Sequence, residues 1–223
     1  KMLLRIVEPT AGRIVWRSPD GREHDVTAMG KAELAEYRKV VRLVFQDPFA
    51  SLNPRMNVKQ VIGDPLVVSG RYRGRALDDK VAELLDLVGL DPAAMERYPH
   101  AFSGGQRQRI GIARALALDP QVIIADEATS ALDVSVRAQI LDLLLSVQKR
   151  LGLSYLFISH DISVVRYFCD RVAVMHRGRI VEMGEAEQVC TAPRDPYTQA
   201  LISAVPSPDP RTKRMSARTR MIA

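Results

Sequence analysis

Apolar positions recur along this chain with two periods, and the switches between them mark out its elements. Leu3, Leu4, Ile6 and Val7 read as the end of a buried helix stopped near Pro9, and Gly12 opens a short strand through Ile14, Val15 and Trp16. Ser18-Pro19-Asp20-Gly21 is a cluster of turn residues. Residues 31–39 suit a short exposed helix, and the β-branched run Val40-Val41-Arg42-Leu43-Val44-Phe45 suits a buried strand. Asp47 to Arg55, rich in Pro and Asn, reads as a loop. No strand-like run follows between 58 and 118. There Leu77, Val81, Leu84, Leu85 and Val88 share one helical face that ends at Gly89, and a second helix after Ser103 aligns Ile110, Ala113, Leu116 and Ala117.

Strand character returns at Val122-Ile123-Ile124-Ala125 and again at Tyr155-Leu156-Phe157-Ile158-Ser159. Between them Val136, Ile140, Leu143, Leu144 and Val147 keep helical spacing, so the order is strand, helix, strand: a βαβ unit with parallel pairing. Two further strands flank the Arg177-Gly178-Arg179 turn, from Arg171 to His176 and from Ile180 to Met183. The stretch from Pro193 to Pro210 is proline-rich, with helical character around 197–205. The fold class expected is α/β, a mostly parallel sheet flanked by helices, with a helical segment inserted near 58–118.

Composition narrows this picture. With 223 residues, 47% hydrophobic and 26% charged, the chain can bury a sizeable core. No apolar run reaches the roughly 18 residues of a membrane span. No signal peptide is visible, and with Lys1 rather than Met in front the expectation is that the natural start lies elsewhere. Cys169 and Cys190 have no metal-ligand or CxxC spacing and read as two free thiols. The net charge of +6 raises nucleic acid as a partner. Residues 211–223 alone hold Arg211, Lys213, Arg214, Arg218 and Arg220 with no acid, which leaves the body at +1. The basicity is therefore largely that of a solvated tail.

Four sites carry candidate chemistry. Ile123-Ile124-Ala125-Asp126-Glu127 ends a hydrophobic strand in two carboxylates, at the sheet edge where α/β folds place ligands. There an Asp can hold Mg²⁺ beside phosphates and a Glu can draw a proton from water; taken alone, two solvated acids ending a strand are the favoured reading. Phe102-Ser103-Gly104-Gly105-Gln106 leads into a helix. Ser103 suits an N-cap, and two glycines let backbone N–H groups approach an anion. A capped helix after a turn is the plainer reading, which Arg107, Arg109 and Arg114 just downstream make less comfortable. His160 closes the next strand, in Phe157-Ile158-Ser159-His160-Asp161, and Gln46 follows the 40–45 strand. Alone, either one is more often structural.

Together and in this order, the four sites resemble the ATP-binding cassette (ABC) family. FSGGQRQRIGIARAL is similar to that family's signature, VIIADEATSALD to its Walker B motif and D-loop, Gln46 to its Q-loop glutamine and His160 to its switch histidine. The likeness covers roughly residues 1–210 and implies a P-loop NTPase-like fold with an incomplete antiparallel β-subdomain. It implies ATP and Mg²⁺ as ligands: Asp126 and Gln46 toward the metal, Glu127 as catalytic base, His160 at the γ-phosphate and Gln46 relaying nucleotide state. Ser103, Gly104, Gly105 and Gln106 would meet ATP held by a second ABC ATPase subunit, identical or different, and Asp133 would cross the same interface.

A narrower likeness is to ATPases of dipeptide and oligopeptide importers. It rests on Asp47-Pro48-Phe49-Ala50-Ser51-Leu52-Asn53-Pro54-Arg55, on Tyr98-Pro99-His100, and on Asp195-Pro196-Tyr197-Thr198-Gln199-Ala200-Leu201 with Val205-Pro206-Ser207-Pro208-Asp209-Pro210. It implies a subunit at the cytoplasmic membrane face that energises uptake of peptides or related solutes such as nickel. Its partners would be permease subunits and, indirectly, an extracytoplasmic solute-binding protein, with no nucleic acid. The domain plan implied is an ATPase domain over 1–210, with its helical subdomain at about 58–118 and its C-terminal extension at about 185–210, then a basic tail at 211–223. Two cysteines are too few for the four-cysteine iron–sulfur cluster some relatives carry in the extension.

One departure matters. The phosphate-cradling GxxxxGK[ST] loop of the family is absent from these 223 residues; Gly30-Lys31 is followed by Ala32. In relatives that loop ends a few residues before the point matching Lys1, so a fragment is expected, with a catalytically incomplete partner subunit as the alternative. A non-transport ABC ATPase acting on nucleic acid is the other alternative. Ala101, where the subfamily often has an acid, and Ala128, where Pro is common, are minor departures.

Overall fold

The computed structural model describes residues 1–18, 20–44, 47 and 51–204, and Gln46 lies outside the described residues. The described chain separates into two compact units, Lys1–Ile158 and the residues from Ser159 onward.

In the first unit, the opening apolar residues form one short 3-10 turn, Met2–Leu4, rather than the end of a longer buried helix. Only Leu4 is buried there, and Ile6 and Val7 are more than half exposed. The physical reason is the left-handed backbone at Arg5 (φ 46°), which ends the turn at once. Strands β1 (Val15–Arg17) and β2 (Glu23–Asp25) pair antiparallel around the expected turn, where Gly21 N–H donates to Ser18 C=O at 2.8 Å. Helix α1 (Lys31–Val40) turns Leu34 and Tyr37 inward. Its Tyr37 hydroxyl donates to Leu3 C=O and its Arg38 guanidinium to Leu4 and Arg5 C=O, so the opening turn is anchored through its carbonyls.

β3 (Val41–Val44) follows directly. The insert is helical as expected: α2 (Val58–Val68), α3 (Gly74–Leu87) and α4 (Gly104–Leu116). In α3 the residues buried are Val81, Leu84 and Leu85, from the face the spacing picked out. Gly89 (φ +70°) supplies the left-handed step that closes it. α2 and α4 start with the same device. Asn57 and Ser103 each accept from the backbone N–H three residues on, while Gln60 and Gln106 reach back to the cap's own N–H.

β4 (Val122–Asp126), α5 (Val134–Leu151) and β5 (Ser154–Ile158) form the βαβ unit, with Gly152 (φ 65°) ending α5. Among the described residues the sheet order is β3-β4-β5, all parallel. Ile124 joins a core of Leu4, Val26, Leu34, Tyr37 and Val41. Strand alternation therefore sends Ile123 and Ala125, both 0% exposed, to the opposite face. β5 is not buried throughout: Tyr155 and Phe157 are half-buried, whereas Leu156 and Ile158 are exposed.

The second unit comprises α6 (Ile162–Phe168), the antiparallel pair β6 (Arg171–His176) and β7 (Arg179–Glu185), α7 (Ala186–Thr191) and α8 (Pro196–Ser203). Both cysteines lie here, half-buried and free, and burial pushes the Cys169 thiol up to about 11. α8 is held to the β6–β7 pair by His176 stacked on Tyr197 (3.8 Å between centroids) and by the Glu182 carboxylate. That carboxylate accepts from Arg194 N–H at 2.9 Å and Asp195 N–H at 3.1 Å. These backbone hydrogen bonds hold the Glu182 pKa below the ordinary carboxylate value. A lowered folded pKa stabilises above the unfolded value and is lost as pH falls through the folded one. Glu182→Gln is thus expected to speed amide exchange at Arg194 and Asp195 at neutral pH and in mild acid alike, and to leave exchange nearly unchanged only at a pH well below the ordinary carboxylate pKa. Hydrogen-exchange mass spectrometry across 186–203 reads both.

Candidate functional site

The two adjacent acids sit where the sheet delivers them. Asp126 is the last residue of β4, in register with Ile158 at the end of β5, and both acids are half-buried. Glu127 leaves the strand with a left-handed backbone, φ 46°. Its N–H donates to Ile158 C=O at 2.9 Å, and its own C=O accepts from both the N–H and the hydroxyl of Ser130, at 3.0 and 2.9 Å. The strand end is thereby bent into a fixed turn. A non-glycine residue held at positive φ costs about 1 kcal/mol or more, and such strain gathers at functional sites.

Among the described residues no group of three or more His, Cys, Asp or Glu side chains could hold a metal ion by itself. An ion at Asp126 would therefore share that carboxylate with oxygens of a ligand and with water. Hard oxygen donors of this kind, one carboxylate plus phosphate, suit Mg²⁺.

A second group lies at two helix starts. Ser103 caps α4: its Oγ accepts from Gln106 N–H (3.3 Å), and its N–H donates to Gln106 Oε1 (3.0 Å). The cap satisfies the N–H at the third helical position and leaves those of Gly104 and Gly105, at the first two, pointing along the free end of the helix. Asp133 is the N-cap residue of α5; it is exposed and makes no side-chain capping bond. The structure brings these two helix starts into contact, because a Cβ built on Gly105 would lie 2.5 Å from Val136 Cγ1.

The arginines that follow Ser103 are used differently from expectation. Arg107 donates to Pro99 C=O at 2.8 Å and to His100 C=O, Arg109 to Val88 C=O at 2.6 Å, and Arg114 to Ser51 C=O at 2.7 Å. Each pins a neighbouring loop to α4. Burial lowers the Arg114 pKa, and the nearby Arg42 guanidinium lowers it further.

In the second unit His160 is exposed and directly precedes the N-cap of α6, Asp161, whose carboxylate accepts from Ser163 and Val164 N–H. Ser159 Oγ accepts from Asp161 N–H, which fixes the turn on either side of His160. The contact residue that sequence reasoning misses is Val136. It is legible only as one apolar position of an amphipathic helix, since nothing in the spacing shows that its methyl meets Gly105.

The family model described as ABC transporter matches residues 1–130, and the model of the oligopeptide/dipeptide transporter C-terminal region matches 181–221. A Brucella ovis protein named as a peptide import ATP-binding protein is 48% identical over 220 residues, which is 98% of this chain and 68% of that protein. The dipeptide transport ATP-binding protein DppF of Lactococcus lactis is 50% identical, over 92% of this chain and 64% of its own length. The glutathione import ATP-binding protein GsiA of Salmonella typhi is 53% identical, over 94% and 33%. Among solved structures, the ATP-binding cassette MJ0796, a dimer bound to ADP and Pi in a post-hydrolysis state, superposes with a TM-score of 0.69 at 28% identity. That match covers 83% of this chain and 78% of MJ0796. For cbiO1 of Clostridium perfringens, part of the transporter complex cbiONQ, the TM-score is 0.70 at 28% identity, over 84% and 71%.

Proposed function

Because the chain belongs to the ABC transporter family of ATP-binding subunits, we propose that it energises uptake of peptides by hydrolysing ATP at the cytoplasmic face of a membrane. The observation that carries this reading is the strand-end pair Asp126–Glu127, bent into a fixed turn, in a chain that also presents the helix starts of Ser103 and Asp133. The match over 181–221 favours peptides and related solutes as cargo. No described helix is long and apolar enough to cross a membrane. In this reading permease subunits pass the cargo across. A solute-binding protein would deliver it to them from outside.

In this reading Glu127 takes a proton from the water that attacks the γ-phosphorus, and the strained turn keeps its carboxylate aimed. His160 holds the γ-phosphate, and Gln46 contacts the water or metal and relays nucleotide state. Asp126 would hold Mg²⁺, which supplies charge neutralisation on the phosphates. Ser103, Gly104, Gly105 and Gln106 present a helix start to the ATP of a second subunit, where free N–H groups and the dipole favour the transferring phosphoryl group. Asp133 crosses to that subunit beside them. Hydrolysis then belongs to a dimer, consistent with the dimeric state named for MJ0796. We further assign the ATPase domain to 1–210, with the helical subdomain at about 58–118, the extension at about 185–210 and the basic tail at 211–223.

The test is uptake. The transporter carrying this chain together with a GxxxxGK[ST] loop, reconstituted in vesicles with its solute-binding protein, is expected to hydrolyse ATP and accumulate labelled di- or oligopeptide. Hydrolysis without peptide uptake would overturn the cargo, and salt-sensitive binding of DNA or RNA in place of transport would overturn the class.

A further inference from the structure

Gly105 has two separable reasons to lack a side chain. One is close approach of a ligand to the α4 backbone. The other lies inside the chain, where an added Cβ would meet Val136 Cγ1 at 2.5 Å. Real Cβ atoms essentially never pack below 3.0 Å, so the Val136 side chain or one of the two helices would have to shift. Val136 cannot readily turn aside, because a β-branched side chain in a helix is confined almost entirely to one χ1 rotamer. Gly105 is the second residue of α4 and Val136 the third of α5, so the contact joins first turn to first turn. Asp133 stands one turn before Val136, and Arg137 N–H donates to Asp133 C=O at 2.8 Å, which makes Asp133 part of the same rigid start.

We propose that Val136 is a positioning residue: its γ-methyl, seated on bare Gly105, sets the register between the Ser103–Gln106 turn and Asp133, so that both reach a second subunit as one surface. This rests on the reading of Ser103–Gln106 and Asp133 as the trans-acting face. Ser103 and Gly104 at one helix start and Asp133 at the other must meet the same partner together, and a shift of about 1 Å between them is enough to spoil alignment.

The experiment is a double-mutant cycle in the transporter that carries this chain. Gly105→Ala is expected to lower ATP turnover about ten-fold or more by forcing the helices apart. Val136→Ala is expected to lower turnover about three-fold with KM for ATP unchanged, since it loosens the register and touches no nucleotide. In the double variant the methyl added at position 105 fills the volume that the Val136 methyl vacated. Turnover should return at least to the Val136→Ala level. Thermal midpoints should follow the same pattern, with the loss in Gly105→Ala, about 2–8 °C, recovered in the double variant.

If the double variant instead loses the product of the two single effects, Gly105 is bare for the ligand alone and the proposal fails. The midpoints separate this from failure of the functional reading. A transporter without ATPase activity sinks the assignment of function, while uncoupled midpoints sink the Val136 contact whatever the activity.

Discussion

In a chain that also carries the GxxxxGK[ST] loop, Glu127→Gln is expected to reduce ATP turnover by about 10²–10⁴-fold while ATP still binds. The amide keeps the size and hydrogen-bonding capacity of the side chain but cannot take the proton of the attacking water. The turn that aims it should survive, because the backbone of residue 127 still makes the bonds from Glu127 N–H to Ile158 C=O and from Ser130 to Glu127 C=O. A companion substitution separates chemistry from strain. Glu127→Gly removes the side chain at φ 46°, where glycine is at ease. Compared with Glu127→Ala, which loses nearly the same side chain but keeps a Cβ at φ 46°, it should therefore be more stable by up to about 1 kcal/mol, with both variants inactive. Single-turnover hydrolysis, nucleotide-binding titrations and thermal melts of the three variants in the transporter decide the matter. Wild-type turnover in Glu127→Gln would remove Glu127 as the base, and a Glu127→Gly no more stable than Glu127→Ala would remove the strain.

The largest expected effect on stability lies a few residues earlier on the same strand. Ile123 is 0% exposed on the central strand β4, between Arg42 of β3 and Tyr155 of β5. Ile123→Ala should cost about 2–5 kcal/mol, the sum of lost transfer energy and of a cavity that a strand paired on both sides cannot close. That corresponds to a fall in melting midpoint on the order of 10 °C for a unit of this size. Because Asp126 and Glu127 follow on the same strand end, residual activity below the new midpoint should drop as well. By contrast Ile6, equally apolar but more than half exposed, should tolerate Ala with little change. Equal losses at the two positions would contradict the burial pattern.

Much of the fold and of the candidate site is legible in the sequence because the signals are local. The N-cap at Ser103, the helical faces of α3 and α5 and the glycine stop at Gly89 each depend on residues a few positions apart. The βαβ unit follows from apolar period and length, and its parallel pairing is found as expected. The opening turn departs from expectation for the same reason: four apolar residues near a proline imitate a helix end, and the left-handed step at Arg5 carries no signal in composition. β5 departs too, because an apolar run does not reveal that alternate residues, Leu156 and Ile158, face outward.

By itself the sequence determined the family, the residue types able to do chemistry and their order along the chain. Those are properties of neighbours in sequence. The tertiary structure alone decided what distant residues do to one another: that Arg107, Arg109 and Arg114 spend their charge on backbone carbonyls, that Glu182 holds the start of α8, and that a methyl of Val136 occupies the space Gly105 leaves empty. Each depends on where two separate segments come to rest, which is set by the packing of the whole core rather than by any local pattern. The bare glycine of the Ser103–Gln106 turn was visible from the start, but the neighbour that requires it became visible only once α4 and α5 were in place.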